Sequence, residues 1–212
     1  MADEIPYSTY ALVDLLDAFA SNEPLPGGGS AGALAGALGV SLLIMAAGLE
    51  KTKTGAPEEA ADLSEASARL RPLRDFLVSL IDRDAEAYRA VLTAMRLPKS
   101  TNEEKAARRA AIADAMRGAT DVPLETMRAC QQALAGAVVV AANALRSAAS
   151  DVGTAIELLV AAVRGSGLNI DANVGGVADL AYVERTRAEQ TALAADSDAD
   201  ARKARGLLGY LP

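Results

Sequence analysis

The chain contains no histidine, no tryptophan and only one cysteine, Cys130, among its 212 residues. A lone cysteine cannot form a disulfide framework within the chain or a paired-cysteine metal cluster. Without histidine, one chain cannot build a histidine-ligated zinc site, a Ser-His-Asp triad or a histidine general base. Any acid–base chemistry must therefore come from aspartate, glutamate, lysine or tyrosine, and we expect neither a metal nor a cofactor.

Aromatic residues are also scarce, at 3% of the chain, although 51% of the residues are hydrophobic. The core must therefore be built from alanine, leucine and valine. Aspartate and glutamate number 28 against 21 lysines and arginines, a net charge of −7. This acidic balance, with no basic stripe studded with aromatics, argues against nucleic acid as a partner.

Strong helix formers dominate the chain, and no strand-like alternation interrupts them. We predict an all-α fold: a helical bundle around a central Ala/Gly-rich buried helix, in a single domain over residues 1–212. Breaks are expected near Gly118, near Ser147–Asp151 (with a cap at Ser150), at Gly165–Gly167 and near residues 196–200. The helices expected before the last helical region cover 8–20, 30–53, 57–96, 101–118, 121–146 and 150–164.

Residues 31–49 carry no charge over a stretch long enough to raise the question of a membrane span. The stretch contains four glycines and many alanines, which let helices approach closely in soluble cores as well. A buried central helix fits better than a membrane helix, and the acidic start Met1–Glu4 does not resemble a signal peptide. We therefore expect a cytoplasmic protein without a membrane partner.

A glycine-rich turn precedes the central helix, with the sequence Pro24–Ser30. Gly27, Gly28 and Gly29 carry no Cβ, so a ligand or a second chain segment can approach the backbone closely. Ser30 is predicted to cap the helix. The free N–H groups of a helix start suit an anionic or carbonyl-bearing ligand, whereas the alternative is a tight turn between buried helices.

Helical periodicity singles out Asp84. Asp84 lies between Ile81 and Tyr88 on the apolar face of the third helix. The predicted stripe consists of Leu70, Leu73, Leu77, Leu80, Ile81, Tyr88, Val91, Leu92 and Met95. Asp82 lies about 200° away around the helix and faces elsewhere. An aspartate on a core face is costly unless it is paired or functional. We favour function for Asp84, with pairing to an arginine or a helix N-terminus as the alternative.

Other polar residues are weaker candidates. Asp151 occupies the first turn of a predicted helix, where compensation of the helix dipole is the simpler role. Asn169 and Asn173 lie one turn apart and could bind the edge of a heterocycle or cap a helix. Lys51, Lys53 and Lys99 lie near the ends of helices. Each of these lysines is solvated by default, with an anionic ligand tail as the alternative.

Several runs in order along the chain resemble the cyclodeaminase-type family, the C-terminal domain of formiminotransferase-cyclodeaminase and its stand-alone bacterial relatives. The family's Gly-Lys-rich stretch corresponds to Leu49–Lys53, so its lysine role falls on Lys51, with Lys53 as competitor. The matching runs are Pro26–Ser30, Asp82–Ala85 before Tyr88, Leu97–Lys99, Val122–Pro123, Ser150–Gly153, and Leu168–Ile170 followed by Asn173.

The resemblance implies a helical homodimer that acts on one-carbon units carried by tetrahydrofolate. Stand-alone members include cyclohydrolases that convert 5,10-methenyltetrahydrofolate to 10-formyltetrahydrofolate, and we favour this activity. The alternative is a formiminotetrahydrofolate cyclodeaminase, which releases ammonia through the same kind of tetrahedral centre. A non-catalytic helical binding module is the second alternative.

The resemblance also suggests roles for the candidates. Asp84 and Lys51 would carry the chemistry, Asp151 and the two asparagines would hold the pterin, and Lys99 would meet the glutamate tail. Burial should raise the pKa of Asp84, and a helix N-terminus should lower that of Asp151. Two carboxylates with separated pKa values can divide acid and base roles. Which one is the base, and whether the site spans the dimer interface, stay open.

Overall fold

Six α-helices make up most of residues 5–209, the part of the chain that the computed structural model describes. Short 3-10 turns precede the first and fifth helices (Tyr7–Thr9 and Arg146–Ala148), and no strand occurs within residues 5–209. The predicted all-α bundle is therefore confirmed. The acidic start Met1–Glu4 lies outside the described residues. The helices are α1 (Leu12–Ala20), α2 (Gly28–Ala47), α3 (Pro57–Met95), α4 (Asn102–Asn143), α5 (Ala149–Val174) and α6 (Leu180–Leu208).

Helix α2 is the predicted central helix, and it lies between α3 and α5 with α4 behind it. Its glycines permit this close packing. A Cβ on Gly39 would lie 3.0 Å from the backbone oxygen of Ala155, and one on Gly36 would lie 2.8 Å from the Cys130 sulfur. Val40 and Leu43 of α2 are fully buried between these neighbours.

Helix α2 runs antiparallel to both α3 and α5. Its start meets the later parts of the two helices, where Ser30 bonds Ile81 and Gly28 lies beside Asn169. Further along, Gly39 lies against Ala155, near the beginning of α5. The first turn of α2 therefore shares one end of the bundle with the later halves of α3 and α5. Its last turn shares the opposite end with their beginnings.

Helix α2 is also long and apolar enough, by length and composition alone, to cross a membrane. However, 56% of its most apolar 18-residue window is buried within the protein. Packing by three neighbouring helices accounts for the apolar residues on its buried faces, as expected for a core helix. It ends at Ala47 with Gly48 as its cap, earlier than the predicted end near Lys53.

The predicted break between Gly118 and Asp121 is wrong, because α4 runs unbroken through Pro123. A proline inside a helix has no N–H for the carbonyl four residues earlier, which here belongs to Ala119. Asn173 of α5 supplies the missing donor, since its Nδ2 lies 2.8 Å from the Ala119 oxygen. A distant side chain thus repairs the helix, and the local sequence could not indicate this.

Two further predicted breaks are also wrong. Helix α5 continues through Gly165–Gly167, where Ser166 is fully buried and packs against α2 close to Gly32. Helix α6 continues through residues 196–200, where Ser197 is buried as well. Tertiary packing overrides the weak helix propensity of these residues. The predicted break near residue 147 exists but begins earlier, at Ala144, and no side chain caps α5.

The starts of α3 and α4 carry clear local signals. Helix α3 starts with Pro57 and carries acids in its first turn. Thr101 and Glu104 form a capping box at the start of α4. Most members of the predicted α3 stripe are buried, although Tyr88 and Met95 at its far end are exposed. Asp82 faces away from α2, and its Oδ1 accepts a 3.2 Å hydrogen bond from the Ser8 N–H.

Candidate active site

Asp84 lies at the start of α2, at one end of the bundle. Its Oδ2 accepts hydrogen bonds from the backbone N–H and the hydroxyl of Ser30, at 2.8 and 3.1 Å. Asp84 therefore caps α2 from another helix. The prediction that Ser30 is the N-cap is wrong, because α2 begins at Gly28 with Gly27 as its cap residue. We call this region the Asp84 end, defined by Gly27–Ser30, Asp84 and Asn169.

The glycine-rich turn makes room for Asp84. A Cβ on Gly29 would lie only 2.0 Å from the Asp84 Oδ1, so no side chain fits at this position. Gly28 is less restricted, since its Cβ would lie 3.5 Å from the Asn169 Nδ2. A Cβ on Gly27 would make only an ordinary contact, 3.7 Å from the Pro24 oxygen. The three glycines therefore differ in role, and Gly29 is the one that the carboxylate requires.

Burial raises the pKa of the Asp84 carboxyl, and the hydrogen bonds from Ser30 only partly oppose this. The raised pKa agrees with the prediction from the sequence. The Ser30 hydroxyl also donates to the Ile81 oxygen, at 2.8 Å. When Asp84 is protonated, it can donate to the Ser30 oxygen while that hydroxyl donates to Ile81. The Asp84 carboxyl therefore has hydrogen-bond partners in both protonation states without any movement of side chains, as suits a group that exchanges protons.

Asn169 lies over the first turn of α2, beside Gly28. Its Nδ2 donates to the Gly165 oxygen at 2.9 Å, which fixes the amide and leaves the Oδ1 without a donor among residues 5–209. The backbone N–H groups of Gly28 and Gly29 also have no acceptor among residues 5–209. These donors, together with the Asn169 and Asp84 oxygens, can hydrogen-bond a polar heterocycle.

Asn173 lies one turn beyond Asn169, but its amide nitrogen is already committed to the Ala119 oxygen. This contact gives Asn173 a structural role in holding α5 against the proline-containing part of α4. Its predicted role in binding the pterin is not needed to explain its position.

Lys51 lies at the opposite end of the bundle. It follows the last turn of α2, and the 20 residues of that helix span about 30 Å. Lys51 is exposed and makes no hydrogen bond or ion pair within residues 5–209. Its competitor Lys53 is engaged, because its ammonium lies 3.4 and 3.3 Å from the oxygens of Ala141 and Leu207. Of these two competing lysines, Lys51 is therefore the one that is available to a ligand.

Asp151 also lies far from Asp84. It occupies the first turn of α5, and the 18 residues from there to Asn169 span about 27 Å. Since α5 is antiparallel to α2, Asp151 lies near the last turn of α2. Within one chain, the predicted catalytic residues therefore form two groups at opposite ends of the bundle. We call the second group, with Lys51 and Asp151, the Lys51 end.

The Lys51 end contains a pocket of about 430 Å³ between the last turn of α2 and the first turns of α3. Its polar lining includes Glu50 and Thr52 from the loop, and Ser64, Ser67 and Arg71 from α3. The sequence analysis did not identify these α3 residues. Their spacing of three and four was the available signal, since it places two hydroxyls and a guanidinium on one helix face.

Lys99 lies in the exposed turn between α3 and α4. The 11 helical residues from Asp84 to Met95 place this turn about 16 Å beyond the carboxylate. Within residues 5–209, no group of three histidine, cysteine, aspartate or glutamate side chains is arranged to hold a metal ion.

Comparison with known proteins identifies relatives of this chain. The sequence model of the formiminotransferase-cyclodeaminase family matches residues 11–192. A methenyltetrahydrofolate cyclohydrolase from Methylorubrum extorquens is 40% identical over 184 residues, which cover 87% of this chain and 88% of that protein. The rat formimidoyltransferase-cyclodeaminase is 32% identical over 166 residues, which cover 76% of this chain but only 30% of the rat protein.

A solved structure shares the fold. The formiminotetrahydrofolate cyclodeaminase from Thermotoga maritima superimposes with a TM-score of 0.84, covering 94% of this chain and 96% of that one, at 22% identity. The matched family region contains all the candidate residues at both ends of the bundle. The chain therefore belongs to the formiminotransferase-cyclodeaminase family.

Proposed function

We propose that this protein hydrolyses 5,10-methenyltetrahydrofolate to 10-formyltetrahydrofolate. The observation that carries the proposal is the 40% identity to a methenyltetrahydrofolate cyclohydrolase over nearly the full length of both chains. The architecture is compatible with this activity. The partly buried carboxyl of Asp84 lies at the start of α2, and its raised pKa allows it to accept and release a proton.

The reaction needs little beyond a positioned water and proton transfer. The methenyl carbon of the substrate lies between two nitrogens that share a positive charge, so it is already electrophilic. Water adds to this carbon and loses a proton to a base, which gives a neutral carbinolamine. Proton delivery to N5, together with loss of the hydroxyl proton to solvent, then breaks the N5–carbon bond, forms the carbonyl and leaves the formyl group on N10. We propose that the reaction requires no cofactor or metal beyond the folate itself.

In this proposal Asp84 accepts the proton from the attacking water, and its carboxylate form favours the cationic ring. Lys51 delivers a proton to N5 or steers the water, and Asp151 helps to hold the pterin. Asn169 and the N–H groups of Gly28 and Gly29 bind the polar edge of the pterin. Lys99 meets the glutamate tail of the folate.

The proposal is tested by following the absorbance of 5,10-methenyltetrahydrofolate in a buffer that hydrolyses it slowly. We expect the purified protein to accelerate the loss of the methenyl chromophore, with 10-formyltetrahydrofolate as the product. Dialysis against EDTA should leave the rate unchanged. If the protein does not accelerate the loss, it is not a cyclohydrolase.

The second candidate is formiminotetrahydrofolate cyclodeaminase. It is favoured by the 32% identity to the rat formimidoyltransferase-cyclodeaminase. Ammonia release from the formimino substrate, at a rate above that of methenyl hydrolysis, would establish this activity. If neither substrate reacts, a rise in melting temperature with added tetrahydrofolate would indicate a folate-binding module instead.

We also propose that the protein is a cytoplasmic homodimer. Sedimentation should then give twice the chain mass of 21.7 kDa, without detergent. A monomer at micromolar concentration, or solubility only in detergent, would contradict this assignment.

A further inference from the structure

The two groups of predicted site residues cannot meet within one chain. Lys51 follows the C-terminal end of α2, and Asp84 caps its N-terminal end, about 30 Å away. A continuous helix packed on three sides does not bend enough to close this distance. If both residues act on one substrate, then a second chain must supply one of them.

Helix α2 carries a face that the rest of the chain leaves uncovered. Ala31, Leu38 and Met45 are exposed at intervals of seven residues, although neighbouring residues on the other faces are buried. Leu38 and Met45 are 52% and 41% exposed. We call this face the α2 stripe; half-buried residues complete it, namely Leu34, Ala35, Ser41 and Leu42.

The spacing of the α2 stripe is that of a surface packing against another helix. Apolar residues that repeat every seven positions, with others three or four positions between them, form such contacts. Helix α2 contains no charged residue anywhere along its length. An apolar stripe of this length is uncommon on the surface of a monomer.

A second copy of this chain fits the α2 stripe, because the stripe is symmetric about Leu38. Ala31 and Met45 lie seven residues on either side of it. In an antiparallel pair of α2 helices related by a two-fold axis, Leu38 faces the partner's Leu38. Ala31 then faces the partner's Met45. The same patch thus serves both protomers, as a two-fold interface requires.

Electrostatics favours the antiparallel pair over a parallel one. Antiparallel helices place the positive N-terminal end of one dipole beside the negative C-terminal end of the other. The antiparallel pair also brings the exposed ammonium of the partner's Lys51 to the end that holds the Asp84 carboxyl. A parallel pair would instead bring together two Asp84 carboxyls.

The register of this pairing determines what meets at the site. Residues equally distant from Leu38 face each other, so Gly28 lies beside the partner's Gly48. The partner's Lys51 follows three residues later, just beyond the first turn of α2. The 430 Å³ pocket formed partly by the partner's Glu50 then adjoins the Asp84 end. Its volume lies in the range of small-molecule sites.

We propose that each active site is composite, with Asp84 and Asn169 from one protomer and Lys51 and its adjoining pocket from the other. This inference rests on the proposed function, since it assumes that both residues act on one folate. The role of the α2 stripe is then to place the Asp84 end of one protomer against the Lys51 end of the other.

The pairing itself is tested by cross-linking, which does not depend on activity. The Leu38→Cys variant should form a covalent dimer with a short thiol-specific cross-linker, because the two cysteines meet at the axis. Ala31→Cys alone should not cross-link, but its mixture with Met45→Cys should. The matched control is Leu180→Cys, at another exposed leucine outside the stripe. Cross-linking by Ala31→Cys alone, or none by Leu38→Cys, would overturn the antiparallel pair.

The composite site is tested with a heterodimer of two inactive variants, Asp84→Asn and Lys51→Met, purified by two different affinity tags. One of its two sites would be intact and the other would carry both changes. We expect about half of the wild-type kcat per dimer, while each variant homodimer has almost none. An inactive heterodimer, or an active Lys51→Met homodimer, would overturn the composite site.

The two tests separate this inference from the proposed function. If the Leu38→Cys variant cross-links as expected but the wild-type protein does not hydrolyse methenyltetrahydrofolate, then the proposed function fails and the interface stands. If the wild-type protein is active but its heterodimer is not, then the composite site fails and the proposed function stands.

Discussion

Two carboxylates in this protein make the same kinds of contact but titrate in opposite directions. Asp84 accepts hydrogen bonds from the Ser30 N–H and hydroxyl, and Glu59 accepts them from the hydroxyls of Thr52 and Thr54 and from nearby N–H groups. The pKa of Asp84 is raised, mainly by burial. The hydrogen bond from Thr52 is the largest of several effects that lower the pKa of Glu59 to about 2. Burial therefore outweighs the hydrogen bonds at Asp84, whereas the hydrogen bonds outweigh burial at Glu59.

The difference separates a structural carboxylate from a reactive one. Glu59 stays ionised at any physiological pH and holds the loop before α3 in place. Asp84 can gain and lose a proton closer to neutral pH, as a general acid or base requires. The predictions below test this contrast, beginning with the largest expected effect.

Replacing Asp84 with asparagine should lower kcat by about 10²–10⁴-fold, because the amide cannot accept the proton from water. The amide oxygen can still accept the Ser30 N–H, so we expect the helix content to persist. Because the pKa of Asp84 is raised in the folded state, the folded protein loses stability as the pH rises through that pKa and the carboxyl ionises. The variant should therefore be at least as stable as the wild type at neutral pH.

Methenyl absorbance measures the rate in this variant, and circular dichroism measures its helix content and melting. A wild-type rate would show that Asp84 is only a helix cap. Loss of helix content would show that its structural role dominates.

Gly29→Ala should lower kcat/KM by about 100-fold, because the added Cβ must displace the Asp84 carboxyl. We expect a stability loss of about 1–3 kcal/mol from the overpacking, measured by urea denaturation. Gly27→Ala is the matched control, since its Cβ makes only an ordinary contact. Equal effects of the two substitutions would mean that the turn does not act through Asp84.

A third prediction concerns the structural role of Asn173. Asn173→Ala should cost about 1–3 kcal/mol, because it leaves the Ala119 oxygen without its donor. In a Pro123→Ala background the cost should be smaller, since residue 123 then supplies an N–H to the same oxygen. Urea denaturation of the four proteins completes a double-mutant cycle. If Asn173→Ala costs as much stability in the Pro123→Ala background as in the wild type, then Asn173 does not compensate for the N–H that Pro123 lacks.

Glu59→Gln should give the smallest effect. Because the folded-state pKa of Glu59 is lowered from 4.5 to about 2, its stabilising contribution is present above pH 4.5 and is lost as the pH falls toward 2. The variant should thus melt lower than the wild type at neutral pH, and the difference should disappear near pH 2. Glu58→Gln is the control, since Glu58 shares the helix turn but makes none of these bonds. A difference that does not depend on pH would contradict this role of Glu59.

Local periodicity was sufficient to predict the helical fold and the placement of Asp84. The stripe on α3 repeats every three or four residues, and the buried Leu77 and Leu80 confirm its orientation toward the core. The same reasoning correctly separated Asp84 from Asp82. Such predictions succeed because neighbours within one helix determine which face a residue occupies.

Contacts between distant residues could not be predicted in the same way. The continuity of α4 depends on Asn173, which lies 54 residues beyond the carbonyl that it satisfies. The separation of Lys51 from Asp84 follows from the length of α2 and its direction relative to α3. A motif gives residues in chain order and contains neither the length nor the direction of the helices between them.

The most direct test of the account is a titration of the aspartate and glutamate carboxyl carbons by ¹³C NMR, with signals assigned from the Asp84→Asn and Glu59→Gln variants. The account predicts that Asp84 titrates above the ordinary aspartate value of 3.8 and that Glu59 titrates near 2. An Asp84 carboxyl that titrates at or below 3.8 would contradict it, because the residue would then be a permanently charged helix cap.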